Sequence, residues 1–324
     1  MLNSTFRFQI IEEEFGTKTS YKLYDNESGE YVSVLPCMGG SINGMALSSG
    51  DKLVEIIDGY TSYKDAQDNL MTTFKGSNLI PFPNRIADGK YSFQDRNLQL
   101  PLNFPQEKNA IHGLLFNTEF KVIDKEDGEI GCKLIIEYTA EETEGYPYKY
   151  HQKISYSLLE NHKFECKIKI TNLMDHSIPV GHGWHPYFRL GESLVDNLLL
   201  KFPAEEVLDV NSRNIPTGKS KSYKEFNEFK PIQKTVLDNC FSLPTKDEQA
   251  LISIMDHDGK MGYTIWQETG KYKYNFLQVY TPAHRKSIAI EPMTCAPDAF
   301  NNKNGLIILA PLESFSARWG VFKN

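Results

Sequence analysis

Residues 164–171 read FECKIKIT, and this stretch decides the fold class. Phe164, Cys166, Ile168 and Ile170 fall on one side of an extended chain. Glu165, Lys167, Lys169 and Thr171 fall on the other. Alternation with a period of two is the signature of a half-buried strand, because successive side chains point to opposite faces. The same pattern, or a short buried run, recurs at 133–138 (KLIIEY), 151–158 (HQKISYSL), 198–202 (LLLKF), 275–280 (NFLQVY), 287–291 (SIAIE) and 305–309 (GLIIL). Turn formers separate these runs: Asp127-Gly128, Glu160-Asn161, Asp258-Gly259 and Pro282. Helical patterning is scarce. The best candidate is 59–72 (GYTSYKDAQDNLMT), where Thr61 or Ser62 could cap a short helix. Many short strands with almost no helix predict an all-β protein, a sandwich or a barrel. The polar stretch 211–234 has the weakest pattern and reads as long loops or a sheet-edge excursion.

The chain has 324 residues, long for one domain but within the range of large all-β folds. It has no internal repeat and no Pro-, Gly- or Ser-rich linker, so residues 1–324 are expected to form a single domain. A hydrophobic content of 40% and a charged content of 24% mark an ordinary globular protein able to bury its core without metals or disulfides. The formal charge of −7 argues against a nucleic-acid partner, which would need a basic footprint. The start, MLNSTFRFQIIEEEFG, lacks the basic and apolar regions of a secretory signal, and no apolar run is long enough to span a bilayer. Cys37, Cys132, Cys166, Cys240 and Cys295 are scattered and odd in number, as expected of free thiols in a reducing compartment. A cytoplasmic location is therefore expected, which leaves the sequon Asn3-Ser4-Thr5 without a role.

Four segments carry polar residues that a plain sandwich does not need. In GSNLIPFPNRIADGKYSF (76–93), Pro81 and Pro83 stiffen the backbone on either side of Phe82. Asn84 and Arg85 follow. A guanidinium on so rigid a segment suits forked hydrogen bonding to paired oxygens. It is one of only seven arginines against 28 lysines, although for this segment alone a surface Arg beside a loop is the favoured reading. In Asn109-Ala110-Ile111-His112-Gly113, the glycine permits an unusual turn beside a histidine. In PVGHGWHPYFRL (179–190), His182 and His185 stand among three aromatic residues. Histidine suits proton transfer near neutral pH, and aromatic faces suit the C–H faces of sugar rings. The bland alternative is a loop whose aromatics plug the end of the sandwich. The His182-x-x-His185 spacing lacks the helical context of a zinc motif, since Pro186 breaks a helix, so no metal is expected. In SIAIEPMTCAPDAF (287–300), Glu291 is expected at a strand end pinned by Pro292. An exposed strand-end Glu would look the same.

Taken in order, these segments resemble the aldose 1-epimerase (galactose mutarotase) family over nearly the whole chain. The resemblance rests on Asn84-Arg85-Ile86, His112-Gly113, His185-Pro186-Tyr187-Phe188, Asp238 in Leu237-Asp238-Asn239-Cys240-Phe241, and Glu291-Pro292 followed by Pro297-Asp298-Ala299. It implies an antiparallel supersandwich, no cofactor, and a groove on one sheet. It also implies Glu291 as general base, His185 as general acid and His112 as a second active-site histidine. Arg85 and Asp238 would hold sugar hydroxyls, and Asn84, Trp184 and Tyr187 are further candidates for substrate contact. The implied partner is a small-molecule sugar, with the chain a monomer or homodimer. Three positions depart from the family pattern: Arg189, Met293 and Pro311-Leu312-Glu313.

Anomer exchange needs one group to take the C1 hydroxyl proton and another to protonate the ring oxygen. The roles reverse on closure. A carboxylate and a histidine suit this cycle, each giving ~10²–10⁴-fold. Three other readings compete: a non-catalytic sugar-binding domain; a glycoside hydrolase using Asp238 and Glu291 as its carboxylate pair; and an epimerase for a phosphorylated or sulfonated sugar, for which Arg189 is the motive. For His182 both a role beside His185 and a plain structural hydrogen bond are open, and the second is the expectation.

Overall fold

A computed structural model describes residues 6–324, so the sequon at 3–5 and the first residues lie outside the described residues. Every strand pairing within the three large sheets is antiparallel. The nine-stranded sheet runs in the order Lys121–Glu126, Gly131–Ala140, Tyr150–Leu159, Lys163–Asn172, Ser314–Lys323, Gly262–Glu268, Gln249–Asp256, Leu198–Lys201 and Lys230–Pro231. The strand Ser314–Lys323 thus lies mid-sheet, between two strands made much earlier. Phe164, Cys166, Ile168 and Ile170 are buried, and Lys167 and Lys169 are exposed, as the alternation predicts.

An eight-stranded sheet runs Pro216–Ser222, Glu206–Val210, Asp238–Ser242, Phe276–Tyr280, Ile288–Met293, Gly183–His185 and Ser77–Leu79, with Tyr187–Phe188 also paired to Ile288–Met293. A five-stranded sheet, Phe8–Phe15 to Lys52–Glu55, completes the layers. One apolar core joins all three sheets, with Val32 and Ile42 from the five-stranded sheet, Ile168 and Trp319 from the nine-stranded, and Leu277 and Ile290 from the eight-stranded. Burial of apolar area on this scale is the main stabilising contribution.

The expected helix forms as Tyr63–Thr73, with the Ser62 side chain accepting from the Asp65 N–H as its cap. The polar 211–234 stretch holds a tight turn at 211–215, the exposed edge strand Pro216–Ser222 and the strand Lys230–Pro231 at the edge of the nine-stranded sheet. All five cysteines are free, four of them buried. Among the described residues, no helix is long and apolar enough to cross a membrane.

Glu291 does not end its strand, as its Pro292 neighbour suggested. The strand continues from Ile288 to Met293, with Glu291 opposite Gln278 and Pro292 opposite Leu277. On its other side, Ile290 donates to Pro186 O and Thr294 to His182 O. The N–H that proline lacks falls between these two bonds, so one rung is missing and the strand survives.

Candidate active site

Alternation also builds the site. Along Ile288–Met293, Ile288 and Ile290 join the core, so Glu291 faces outward. Along Phe276–Tyr280, Leu277 and Val279 point inward, leaving Gln278 and Tyr280 on the outer face. Phe241 points inward and Asp238 outward. The register then places Asp238 opposite Tyr280, and Gln278 opposite Glu291. In 182–188 the same rule sends His182, Trp184 and Phe188 into the core and His185 and Tyr187 outward.

This corrects one expectation. Trp184 does not meet the cavity. It is fully buried, with its ring 6.0 Å from Trp319 and 6.3 Å from Tyr156. His182 is structural, as expected. Its Nε2 lies 2.8 Å from Asn78 Oδ1, which fixes it as the donor, so Nδ1 accepts from the Tyr274 hydroxyl at 3.1 Å.

The remaining predicted residues come together. Asn84, Arg85, His112, His185, Tyr187, Asp238 and Glu291 line one cavity of about 250 Å³. Asn84 and His112 both adopt left-handed backbone, φ 56° and 61°, and His112 N–H donates to Asn84 O at 2.9 Å. Such conformations cost about 1–3 kcal/mol and concentrate at functional sites. Gly113 is required there: a Cβ would stand 2.1 Å from Ile80 O. The segment carrying Arg85 is braced by Asp298, whose N–H donates to Arg85 O at 2.6 Å and whose Oδ1 accepts from Ala87 N–H at 2.9 Å. That accounts for Pro297-Asp298-Ala299 far along the chain.

His185 Nε2 lies 3.4 Å from Glu291 Oε1, long for a hydrogen bond but close enough for both to reach one bound hydroxyl pair. The His185 ring stacks on Tyr187 at 5.0 Å and meets His112 edge-on at 4.9 Å. Burial pushes the Glu291 carboxyl well above its usual range, Asp238 adds to this, and Arg85 opposes it. Burial pulls His185 down to about 4, with Arg85 adding to the fall. His112 is pulled down by burial, then by His185 and Arg85. Burial also raises Asp238, against the pull of Arg85. His112 Nδ1, His185 Nδ1 and Glu291 Oε2 are buried without a hydrogen-bond partner. Leaving such atoms bare costs about 1–3 kcal/mol each, a cost that a polar ligand in the cavity would offset.

The same trio brings ligand atoms within 4.8 Å of one another, a two-His, one-carboxylate set that a divalent metal could use. Resident metal sites hold the second nitrogen of each His ligand by a hydrogen bond. The bare Nδ1 atoms of His112 and His185 show no such support.

Sequence reading missed Gln278, Tyr280, Asn214, Glu107, Phe104, Ile111, Phe74, Thr72 and Thr73, all on the cavity wall. Gln278 accepts from Asn84 Nδ2 at 3.3 Å and donates to Asp238 Oδ1 at 2.9 Å, tying three wall residues together. A lone Gln amid Phe276, Leu277 and Val279 was the available signal. Two departures from the family pattern lie elsewhere. Met293 packs in a small cluster with Cys240 and Phe276. Arg189 opens on a different surface cleft beside Tyr31 and Glu55, 3.8 Å from Glu192. A larger groove of about 610 Å³ near Thr17, Cys37 and Glu119 gathers no comparable set of groups.

The sequence model of the aldose 1-epimerase family matches residues 23–321. The chain is 30% identical to the uncharacterized protein YihR of Escherichia coli over 247 residues, covering 72% of this chain and 74% of that one. It is 23% identical to an Escherichia coli aldose 1-epimerase over 269 residues, covering 80% and 74%. In fold it is similar to a galactose mutarotase-like protein from Clostridium acetobutylicum, with a TM-score of 0.85, 22% identity, and 98% and 99% of the two chains covered. The galactose 1-epimerase of Lactobacillus acidophilus superposes with a TM-score of 0.79 at 18% identity, covering 99% of both chains. The chain therefore belongs to the aldose 1-epimerase family.

Proposed function

We propose that the protein is a mutarotase that interconverts the α and β anomers of an aldose by acid–base ring opening and closure. The observation that carries this reading is the approach of His185 to Glu291 in a cavity that shifts both groups in opposite directions. In water an imidazole holds a proton more tightly than a carboxyl. Here the order is inverted, because burial disfavours both charged forms. Glu291 takes the proton of the anomeric hydroxyl, and His185 gives one to the ring oxygen. After opening, the proton rests on Glu291 and His185 is bare. That is the distribution the empty site itself prefers, so the open-chain stage meets the site in its favoured state. Rotation about C1–C2 and reversal of both transfers then give the other anomer.

Arg85, Asp238, Asn84 and His112 hold ring hydroxyls while C1 moves, and Tyr187 offers a ring face. A cavity of about 250 Å³ suits one sugar ring rather than an oligosaccharide. No metal or organic cofactor takes part in this scheme. We further propose that the chain acts in the cytoplasm as one domain.

The test is anomer-exchange NMR on glucose, galactose, xylose and arabinose, with kcat/KM followed from pH 4 to 9. The one-proton form of the Glu291–His185 pair is the active one. Activity is therefore expected to fall on the acid side near pH 4, far below an ordinary histidine limb, and on the alkaline side as the raised Glu291 titrates. Absence of acceleration on every aldose, or release of products from an oligosaccharide, would overturn the reading.

A further inference from the structure

Arg85 is the one guanidinium or ammonium on the cavity wall among the described residues, and the fork made by its Nε and Nη2 is already taken by a carboxylate. Arg85 Nε donates to Glu107 Oε2 at 2.7 Å and Nη2 lies 3.5 Å from Oε1. Nη1 turns to Asn84 Oδ1 at 3.3 Å. Glu107 is itself held. Asn109 Nδ2 donates to its Oε2 at 3.3 Å, and its backbone oxygen accepts from Arg213 Nε at 2.8 Å. Arg213 Nη2 lies 2.9 Å from each of Asp88 Oδ1, Lys108 O and Asn109 Oδ1. Arg189 belongs to another cleft. The wall thus sets three carboxyl groups, Glu107, Asp238 and Glu291, against one guanidinium.

We propose that Glu107 is the residue that sets the charge selectivity of the cavity. This rests on the mutarotase reading above. Arginine pairs two donors with a carboxylate, phosphate or sulfonate. Glu107 takes that place, so a sugar bearing such a group finds no free cation and meets a fixed like charge. A neutral aldose needs only single hydrogen bonds and is not penalised. Without the carboxylate, the Arg85 fork opens toward the cavity and the preference moves toward anionic sugars.

The experiment compares glucose with glucuronate and glucose 6-phosphate on the wild type, Glu107→Gln and Glu107→Asp. Anomer-exchange NMR gives kcat/KM, and NMR titration gives Kd for the same sugars. The wild type is expected to favour glucose by about 10²-fold, the scale of a like-charge clash. In Glu107→Gln the anion-to-glucose ratio is expected to rise at least ~10-fold in both readouts. Glu107→Asp, which keeps the charge, is expected to stay near the wild-type ratio; this guards against a merely disturbed loop. A wild type that handles glucuronate as well as glucose would overturn the proposal. So would an unchanged ratio in Glu107→Gln. Failure to accelerate any sugar would instead overturn the mutarotase reading, and the Kd ratios would still decide the role of Glu107.

Discussion

His182 and His185 stand three residues apart in one segment, and both are buried. Their hydrogen bonding differs. Around His182 the ring nitrogens are both satisfied, by Asn78 and Tyr274, and Gln152 closes the network by exchanging bonds with Asn78 at 2.9 and 3.0 Å. Around His185 one nitrogen has only a 3.4 Å approach to Glu291 and the other has no partner. The difference teaches that burial alone says little about function. A satisfied buried imidazole stabilises the fold, whereas an unsatisfied one beside a second titratable group waits for a ligand.

The largest expected effect breaks the His185 side. His185→Asn and Glu291→Gln should each lower mutarotation by ~10²–10⁴-fold while the unfolding midpoint hardly moves. Polarimetry and thermal unfolding of the same samples check this, and near-wild-type rates in both variants would sink the catalytic assignment. The next effect breaks the other side. His182→Ala strands Asn78, Gln152 and Tyr274 and leaves a void, at a cost of about 3 kcal/mol in urea unfolding. The folded fraction should keep its rate within ~10-fold.

A third measurement sharpens the contrast through pH. Both histidines have depressed folded pKa values, about 3 for His182 and about 4 for His185, against an ordinary 6.5, and burial is the leading cause in each. A depressed group adds stability that is fully present above its unfolded value and lost as pH falls toward its folded value. Below pH 6.5 each such histidine should therefore destabilise the fold by about 1.4 kcal/mol per pH unit. The slope should shrink in both His182→Ala and His185→Asn, although only the second affects catalysis. An unchanged slope in both variants would contradict this.

The smallest effect concerns Trp184. As a core residue, its change to Phe should cost about 1–3 kcal/mol of stability. KM should stay within ~2-fold, and a large rise in KM would restore the substrate contact first expected of it.

Trp184 also shows what kind of information a sequence carries. The alternation that assigned FECKIKIT was readable across 182–188 as well. Applied there, it separates Trp184 from His185 and Tyr187. The pull of aromatic residues toward sugar rings hid it. Pro292 misled for a related reason: proline usually ends a strand, but here its missing donor coincides with a break in the neighbouring ladder. Glu107 and Asn214 could not have been found. They sit in charged or polar loops that read as solvated surface, and only contacts across 22 and 24 residues, to Arg85 and Asp238, draw them in. Arg85, His112, Asp238 and Glu291 were legible because several short motifs occur in order, although no one of them suffices.

The central place of Ser314–Lys323 bears on how the chain is made. A ribosome delivers Lys163–Asn172 and Gly262–Glu268 well before the strand that must lie between them. Until residues 314–323 emerge, both strands present open edges, and the core lacks Phe315, Trp319 and Val321. Unpaired edges next to exposed apolar surface invite pairing with other chains. The nascent protein is therefore most prone to aggregate just before synthesis reaches these residues, and chaperone capture should matter most in that interval.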